Sequence, residues 1–380
     1  MVDARLGLGS GIGRYVLNIV PRVAIRLNEV AFDLVVDPHE AGRIGDVMSA
    51  RARNVTVCPD PTPPFSLREQ ASFAVRARRF DATWFVNYWM PLRWRGPTLV
   101  VVHDLLHLAP DLFPGGRLKR LLARATFEKV RRSADEVIFI SRFTEREFRD
   151  RVGTPEGRTT VVHHGVDHFR DHVGIDRPAT VPVKQPQMIV VAAAKRHKNF
   201  AVVLDAWQRS ALPDPWKLIV VTPGDALRSS VSLDSAAAAA NAGVEIRRGI
   251  DDAALWNLYE QSAVLLMPSL YEGFGLPLLE GMMHGCVPIA STADALVEVG
   301  AGSCIAHVPG HDVEGWAAAM RAVAQRIDLD PAWLAATGRR NAAHAQAWQW
   351  DDAADKTAAI LARMLSGVAS PTNEYVRGRS

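Results

Sequence analysis

The stretch that most constrains this chain runs from Tyr271 to Gly285 and reads YEGFGLPLLEGMMHG. An apolar run, Ala263 to Met267, precedes it and has the length of a buried parallel strand. Pro277 to His284 follows as a helix, with Pro277 in the first turn, where its missing N–H is not needed. Gly273-Phe274-Gly275 joins the two, so the segment predicts strand, glycine turn and helix. The free amides at such a helix start, with the positive end of the helix dipole, form an anion site. Glu272 on the loop and Glu280 within the helix bracket that site, with seven residues between them. One turn can therefore offer amides to a diphosphate and carboxylates to sugar hydroxyls on either side. An ordinary strand–turn–helix with two solvated glutamates has the same spelling, so the rest of the chain has to decide.

At 380 residues the chain is long enough for two domains of ordinary size. A hydrophobic fraction of 48% is that of a globular protein, and no apolar run approaches the roughly 20 residues that span a bilayer. The first residues lack the apolar core of a signal peptide. Cys58, Cys286 and Cys304 have no metal-like spacing and suit a reducing cytoplasm. The net charge of +3 hides an asymmetry. From Arg68 to Arg132 there are 13 Lys and Arg against 5 Asp and Glu, a net +8. From Asp251 to Asp330 there are 2 against 11, a net −9. The basic half is either an ordinary solvated surface or one that faces something anionic. Nucleic acid is disfavoured as that partner, because the chain has no helix–turn–helix or aromatic-platform signature. An anionic membrane surface remains, with Arg117, Lys119, Arg120, Arg124, Lys129, Arg131 and Arg132 gathered around one predicted helix. Leu118, Leu121, Leu122 and Phe127 on that helix either pack on a sheet or meet a bilayer.

Short apolar runs alternate with helical stretches along the chain. Runs at 32–36, 55–57, 83–86, 98–102, 136–140 and 159–162 read as strands, with helices at about 117–132 and 143–151. Residues 171–187 hold three prolines and no periodic pattern, so they read as a linker. A second alternation begins at Met188, with further strands at 218–222, 244–247 and 263–267, and the alanine run 236–240 suits a helix. This pattern predicts doubly wound parallel sheets, with ligands at the carboxyl ends of the strands. His103 falls at one such end, and Gly11-Ile12-Gly13-Arg14-Tyr15 opens the first helix. Glycines there let the backbone come close to a ligand. Asp328-Leu329-Asp330 has a metal-binding spelling, but Asp330 precedes Pro331 and reads as a helix cap. His103 and His107 are spaced as a metal pair on a helix would be, yet no glutamate accompanies them.

Several of these segments, in order, resemble the retaining glycosyltransferases of family 4, which have the GT-B fold. Glu272 to Glu280 matches that family's E-G-F-G-L-P-x-L-E pattern, and Gly285 to Ser291, GCVPIAS, continues it. Gly11 to Tyr15, Val101 to Leu106, Ile140 to Thr144, Val162 to Asp167, Lys195 to Phe200, Leu296 to Gly300 and Trp348 to Ala354 resemble further family segments. His164 stands where asparagine is usual, and Ala192-Ala193 stand where the family has a glycine and a phosphate-contacting arginine. The resemblance implies two Rossmann-like domains facing a cleft. Residues 1–170 would form the acceptor domain, completed by a C-terminal helix at about 351–366, and 188–350 the donor domain. It implies catalytic roles for His103, Lys198 and Glu272. It implies donor binding by Gly11, Gly13, Arg196, Lys198, Gly273, Phe274, Gly275, Leu276 and Glu280, with no metal and no cofactor. Expected partners are a nucleotide sugar, with GDP-mannose as the first choice, a glycan or lipid-linked acceptor, and the inner membrane face, where the enzyme would sit peripherally in the cytoplasm. A nucleotide-sugar epimerase of the same fold and a non-catalytic nucleotide-sugar binder are the alternatives. The first would need acids and bases for proton abstraction, and the intact Glu272, Glu280 and Lys198 set argues against the second.

Overall fold

The computed structural model describes residues 1–6, 11–64, 66–76, 79–113, 116–169, 184–191, 195–222 and 243–368. Most of the expected linker and the alanine run 236–240 lie outside the described residues, as do Ala192 and Ala193. The first half contains β1 (Val2–Asp3), α1 (Gly11–Arg26), β2 (Phe32–Val36), α2 (Ala41–Arg51), β3 (Val55–Pro59), α3 (Leu67–Arg76), β4 (Thr83–Phe85), β5 (Thr98–Val102), α4 (Arg117–Ser133), β6 (Glu136–Phe139), α5 (Arg142–Arg151) and β7 (Arg158–Val161). Among the described residues its sheet has seven strands in the order β3-β2-β1-β4-β5-β6-β7, all pairs parallel.

The second half contains β8 (Gln185–Val191), α6 (Phe200–Ser210), β9 (Lys217–Thr222), β10 (Val244–Arg248), α7 (Asp252–Gln261), β11 (Ser262–Met267), α8 (Leu276–Met283), β12 (Val287–Ser291), α9 (Asp294–Gly300), β13 (Ala306–Val308), α10 (Val313–Leu329), α11 (Pro331–Gln346) and α12 (Trp350–Val368). Its described strands run β10-β9-β8-β11-β12-β13, again all parallel. Each sheet reverses its winding once, between β1 and β4 and between β8 and β11. Those are the crevices where open α/β sheets bind ligands. The chain leaves β1 toward Arg14 and leaves β11 into the glycine turn, so both ligand-facing ends carry the motifs read from the sequence.

The central strands β5, β11 and β12 are buried along their whole length, which explains why β5 and β11 read as continuous apolar runs. β8 starts at Gln185, earlier than the apolar run at Met188 and inside the expected linker. Its polar start is tolerated because Gln187 donates to Ser262 Oγ at 3.0 Å and pairs with Lys217 on β9. α4 packs through Ala123, Thr126, Phe127 and Val130. Of the leucines in doubt, Leu122 is half-buried. Leu118 and Leu121 are 79% and 66% exposed. No described helix is long and apolar enough to cross a membrane.

α12 crosses back to the first domain and packs along α1. Ala354, Ala358 and Leu361 join the same buried cluster as Ile19 and Val23. Arg26 pairs with Asp351 at 2.8 Å and with Asp355, and Arg363 pairs with Glu136 at 2.9 Å. The helix enters over Gly165, where an added Cβ would stand 2.1 Å from the Trp350 amide nitrogen. That amide donates to Asp167 at 2.8 Å, so the backbone cannot simply retreat. Gly165→Ala is therefore expected to cost about 2 kcal/mol or more, the scale of overpacking a tight core. A thermal midpoint equal to the wild type's in differential scanning calorimetry would show that the crossing has slack.

Candidate active site

The glycine turn is built as its sequence suggests. Gly275, at φ +97°, is the residue before α8, and Leu276 and Pro277 open the helix. Only a residue without a Cβ adopts that backbone cheaply, and a Cβ there would also meet Leu296 at 2.5 Å. Gly273 is held by a different constraint. A Cβ on it would lie 1.9 Å from the His103 carbonyl oxygen, so the turn touches the first domain backbone to backbone. Phe274 and Leu276 are buried.

Glu272, 9% exposed, accepts from Lys198 Nζ at 2.6 Å and from Ser269 Oγ at 2.7 Å. Lys198 closes a 3-10 turn, Arg196–Lys198, ahead of Asn199 in the left-handed region. Asn199 donates its side chain to Pro268 and Gly310 carbonyls, and Leu270 N–H donates to the His197 carbonyl at 2.7 Å. The Lys198 segment is thereby tied to the Glu272 loop. Arg196 is exposed at the start of the same turn.

Glu280, 3% exposed, is ringed by partners from both domains. Arg14 Nη1 ion-pairs with it, His168 Nε2 lies 3.4 Å away, and Tyr259 donates its hydroxyl at 3.4 Å. The other terminal nitrogen of Arg14 pairs with Asp252 at 2.7 Å. Burial pushes the Glu280 carboxyl up, but Arg14 and His168 outweigh it and hold it at about 2. Arg14 is the residue that the sequence reading missed. It lies in the Gly11–Tyr15 segment, where the expected donor contacts are Gly11 and Gly13. Gly11 starts α1 in open space and Gly13 is buried within it. Residues 7–10, just ahead of them, lie outside the described residues.

His103 is 8% exposed, and its Nε2 donates to the Val86 carbonyl at 2.8 Å. Burial lowers its pKa, against the raising effects of Val86 and Asp104, so the ring is neutral at physiological pH and Nδ1 is left as an acceptor. Tyr15 packs edge-on at 5.1 Å and His164 at 5.5 Å. His164 also stacks on Trp350 and lies 5.1 Å from Phe274. Among the described residues neither of its ring nitrogens has a hydrogen-bond partner, and burial with the neighbouring His103 and His163 pushes its pKa well down. Aromatic packing is thus what the imidazole contributes where the family has asparagine.

The second domain also grips α5. Ser141, its N-cap, donates to the Gly273 carbonyl at 2.7 Å while its Oγ accepts from Thr144 N–H. Glu298 on α9 accepts from the Arg142 and Phe143 amides at 2.8 Å each and from His163 at 3.0 Å. A carboxylate from one domain thereby caps a helix of the other. Tyr271 donates to Glu147 and accepts from Leu105 N–H at 2.8 Å. Between these contacts lies a cleft of about 420 Å³, lined by Arg146, Glu147, Arg151, Tyr271, Glu272 and Asp294 among others. The structure thus brings Glu272, Lys198, Glu280 and the turn together on one side and places His103 directly across from Gly273. Asp330 caps α11 through Trp333 N–H at 3.0 Å, as the capping reading expects, and Asp328 accepts from Trp216 Nε1 at 3.2 Å. His107 is bonded to Tyr88 at 3.1 Å.

Sequence profiles described as "Glycosyltransferase Family 4" and "Glycosyl transferases group 1" match residues 9–170 and 185–326, one for each domain. The two domains thus match, in chain order, a family-4 and a group-1 glycosyltransferase model. A D-inositol 3-phosphate glycosyltransferase of Streptomyces avermitilis is 28% identical over 70% of this chain, which spans 60% of the length of that relative. An MMP alpha-(1->4)-mannosyltransferase of Mycolicibacterium hassiacum is 35% identical over 33% of this chain and 31% of its own. The fold matches sucrose-phosphate synthase from Thermosynechococcus elongatus, with TM-score 0.70 and 18% identity over 96% and 98% of the two chains. It also matches Anabaena Alr3699/HepE in complex with UDP, with TM-score 0.67 and 17% identity over 95% and 98%. The chain therefore has the GT-B fold.

The Glu280 pair has a pH signature. Its folded pKa of about 2 lies below the ordinary carboxylate value of about 4.3. The stability it contributes is present above about pH 4.3 and is lost as pH falls toward about 2. Urea unfolding of wild type and Glu280→Gln at several pH values should show a gap that favours the wild type at pH 7 and narrows below about pH 4. A gap that stays constant through that range would mean that the pair is not linked to folding.

Proposed function

We propose that this protein moves a hexosyl group from a nucleotide-diphosphate sugar to a hydroxyl of a glycan or lipid-linked acceptor, with retention at the anomeric carbon. Bacterial surface-polysaccharide synthesis is the setting that fits. The observation that carries this reading is the clustering of Glu272, Glu280 and Lys198 around a glycine turn and helix start, facing His103 of the other domain. In the reaction the anomeric C–O bond to the diphosphate breaks and a bond to the acceptor oxygen forms on the same face, with the acceptor proton passing to the leaving phosphate. Glu280 accepts from the ribose hydroxyls. The amides of Phe274, Gly275 and Leu276, with Lys198 and Arg196, take up charge on the leaving diphosphate. Glu272 holds hydroxyls of the transferred sugar and His103 meets that sugar from the first domain. Gly11 and Gly13 let the start of α1 come close to donor and acceptor. No side chain is assigned as a nucleophile, and the two-carboxylate logic of glycosidases does not carry over.

The mannosyltransferase relative supports mannose as the transferred sugar, which makes GDP-mannose the first donor to test. The HepE complexes, one of them with UDP-glucose, make that the second. A thermal-shift screen of nucleotide sugars tests this directly, since ligand at 100 times Kd adds about 2.7 kcal/mol of stability. GDP-mannose should raise the midpoint, and Glu280→Ala should remove the rise. Lys198→Ala should slow transfer at least about tenfold, the scale of one charge-assisted contact. Transfer should persist in excess chelator. A rise with UDP-sugars only would move the donor assignment. Wild-type affinity and rate in both variants would sink the site itself.

A membrane-bound acceptor is favoured by α4. Leu118 and Leu121 stand exposed beside Arg117, Lys119 and Arg124, an apolar edge set among cations. Each cation contributes up to about 1 kcal/mol near an anionic bilayer, and salt weakens the attraction. Liposome sedimentation should therefore show binding to anionic vesicles that falls with salt and drops further in Leu118→Ser/Leu121→Ser. Equal partitioning to neutral vesicles, or none at low salt, points instead to a soluble acceptor.

A further inference from the structure

Arg14 bridges the two domains at the carboxylate that the proposed function gives to the ribose. It projects from the first turn of α1 in the first domain, yet its two terminal nitrogens are shared between Glu280 and Asp252 of the second. Its third neighbour, His168 Nε2 at 3.0 Å, also touches Glu280. If Glu280 accepts from a donor's ribose, as the proposed function has it, Arg14 and the ribose want the same carboxylate. The Glu280 oxygens are already engaged by Arg14, His168 and Tyr259, so two incoming hydroxyls must displace some of these groups. Arg14 is the one that can move. Its side chain is 21% exposed and long, whereas those of His168 and Glu280 are 5% and 4% exposed.

A displaced guanidinium needs an anion. Asp252 alone is half-exposed to water and holds only one of its nitrogens. Glu280 lies four residues into α8 from Leu276, and four residues of helix rise about 6 Å. A nucleotide whose ribose meets Glu280 and whose diphosphate meets the start of α8 therefore puts phosphate oxygens within a side-chain swing of Arg14. We propose that Arg14 is a substrate-contacting residue that exchanges partners, leaving the Glu280 carboxylate to the ribose and taking the donor diphosphate in its place. The same side chain then bridges the domains before and after donor entry, first through a carboxylate and then through the donor.

This inference rests on Glu280 as the ribose acceptor, and the test separates the two. Calorimetric titrations compare a nucleoside diphosphate (GDP or UDP, whichever the wild type binds), its nucleoside and its 2′,3′-dideoxy diphosphate. The dideoxy probe should bind the wild type more weakly than the ribo form. Equal binding would overturn the ribose reading, and with it this inference. In Arg14→Ala the nucleoside should bind several-fold tighter, because its competitor is gone. The preference for diphosphate over nucleoside should fall at least about tenfold, the scale of one charge-assisted contact. Arg14→Lys keeps the charge without the fork and should recover most of that preference. A loss of both affinities by the same factor, as a purely structural role would give, overturns the exchange while leaving the ribose reading intact. So does a wild-type preference in Arg14→Ala, or an Arg14→Lys variant no better than alanine.

Discussion

The organisation of this protein depends on one close approach. The backbone of Gly273 lies so near the His103 carbonyl that a single added carbon would overlap it. Everything else at the cleft is arranged around that contact. The Gly273 carbonyl is held from the first domain by Ser141 and Thr144, and nearby Tyr271 and Phe274 meet first-domain side chains. The turn is therefore both the anion site of the second domain and the surface on which the domains meet. A geometry of this kind tolerates little, because the backbone has no rotamer to change.

The charge asymmetry of the sequence acquires a partial explanation. Acidic residues of the second half are used across the cleft, where Glu280 and Asp252 meet Arg14, Asp294 lies 3.6 Å from Arg146, and Glu298 caps α5. The cations in these pairs come from α1 and α5, outside the basic segment from Arg68 to Arg132. These particular pairs therefore do not account for the excess of cations on α4.

Much of this was legible in the sequence. Apolar runs marked β5 and β11 because parallel strands buried on both faces admit little else, whereas β12 was noticed only as the GCVPIAS segment of the resemblance. The glycine turn and its two glutamates were found because their spacing is local, and Lys198 because Lys195 to Phe200 resembles a family segment. What stayed hidden was whatever depends on the facing domain. Arg14 and Glu280 are 266 residues apart, and nothing in either neighbourhood announces the other. Glu298 was visible as part of a motif, but its work as a cap for a helix of the other domain is not written near it. The early start of β8 was hidden for a smaller reason, since Gln185 and Gln187 are polar and find their partners only in the folded sheet.

The crossing helix also orders events in time. α12 supplies Ala354, Ala358 and Leu361 to a cluster that contains Ile19 and Val23, so the first sheet's helical layer is finished by the last described element. Domains emerging from a ribosome fold from the N-terminus forward, at about 5–20 residues per second. Here the first domain must wait, with that face of α1 uncovered, until the whole second domain has been made. During that interval the nascent chain presents an apolar strip that its own later sequence will cover. The protein's vulnerability to aggregation is thereby concentrated in synthesis rather than in the finished fold.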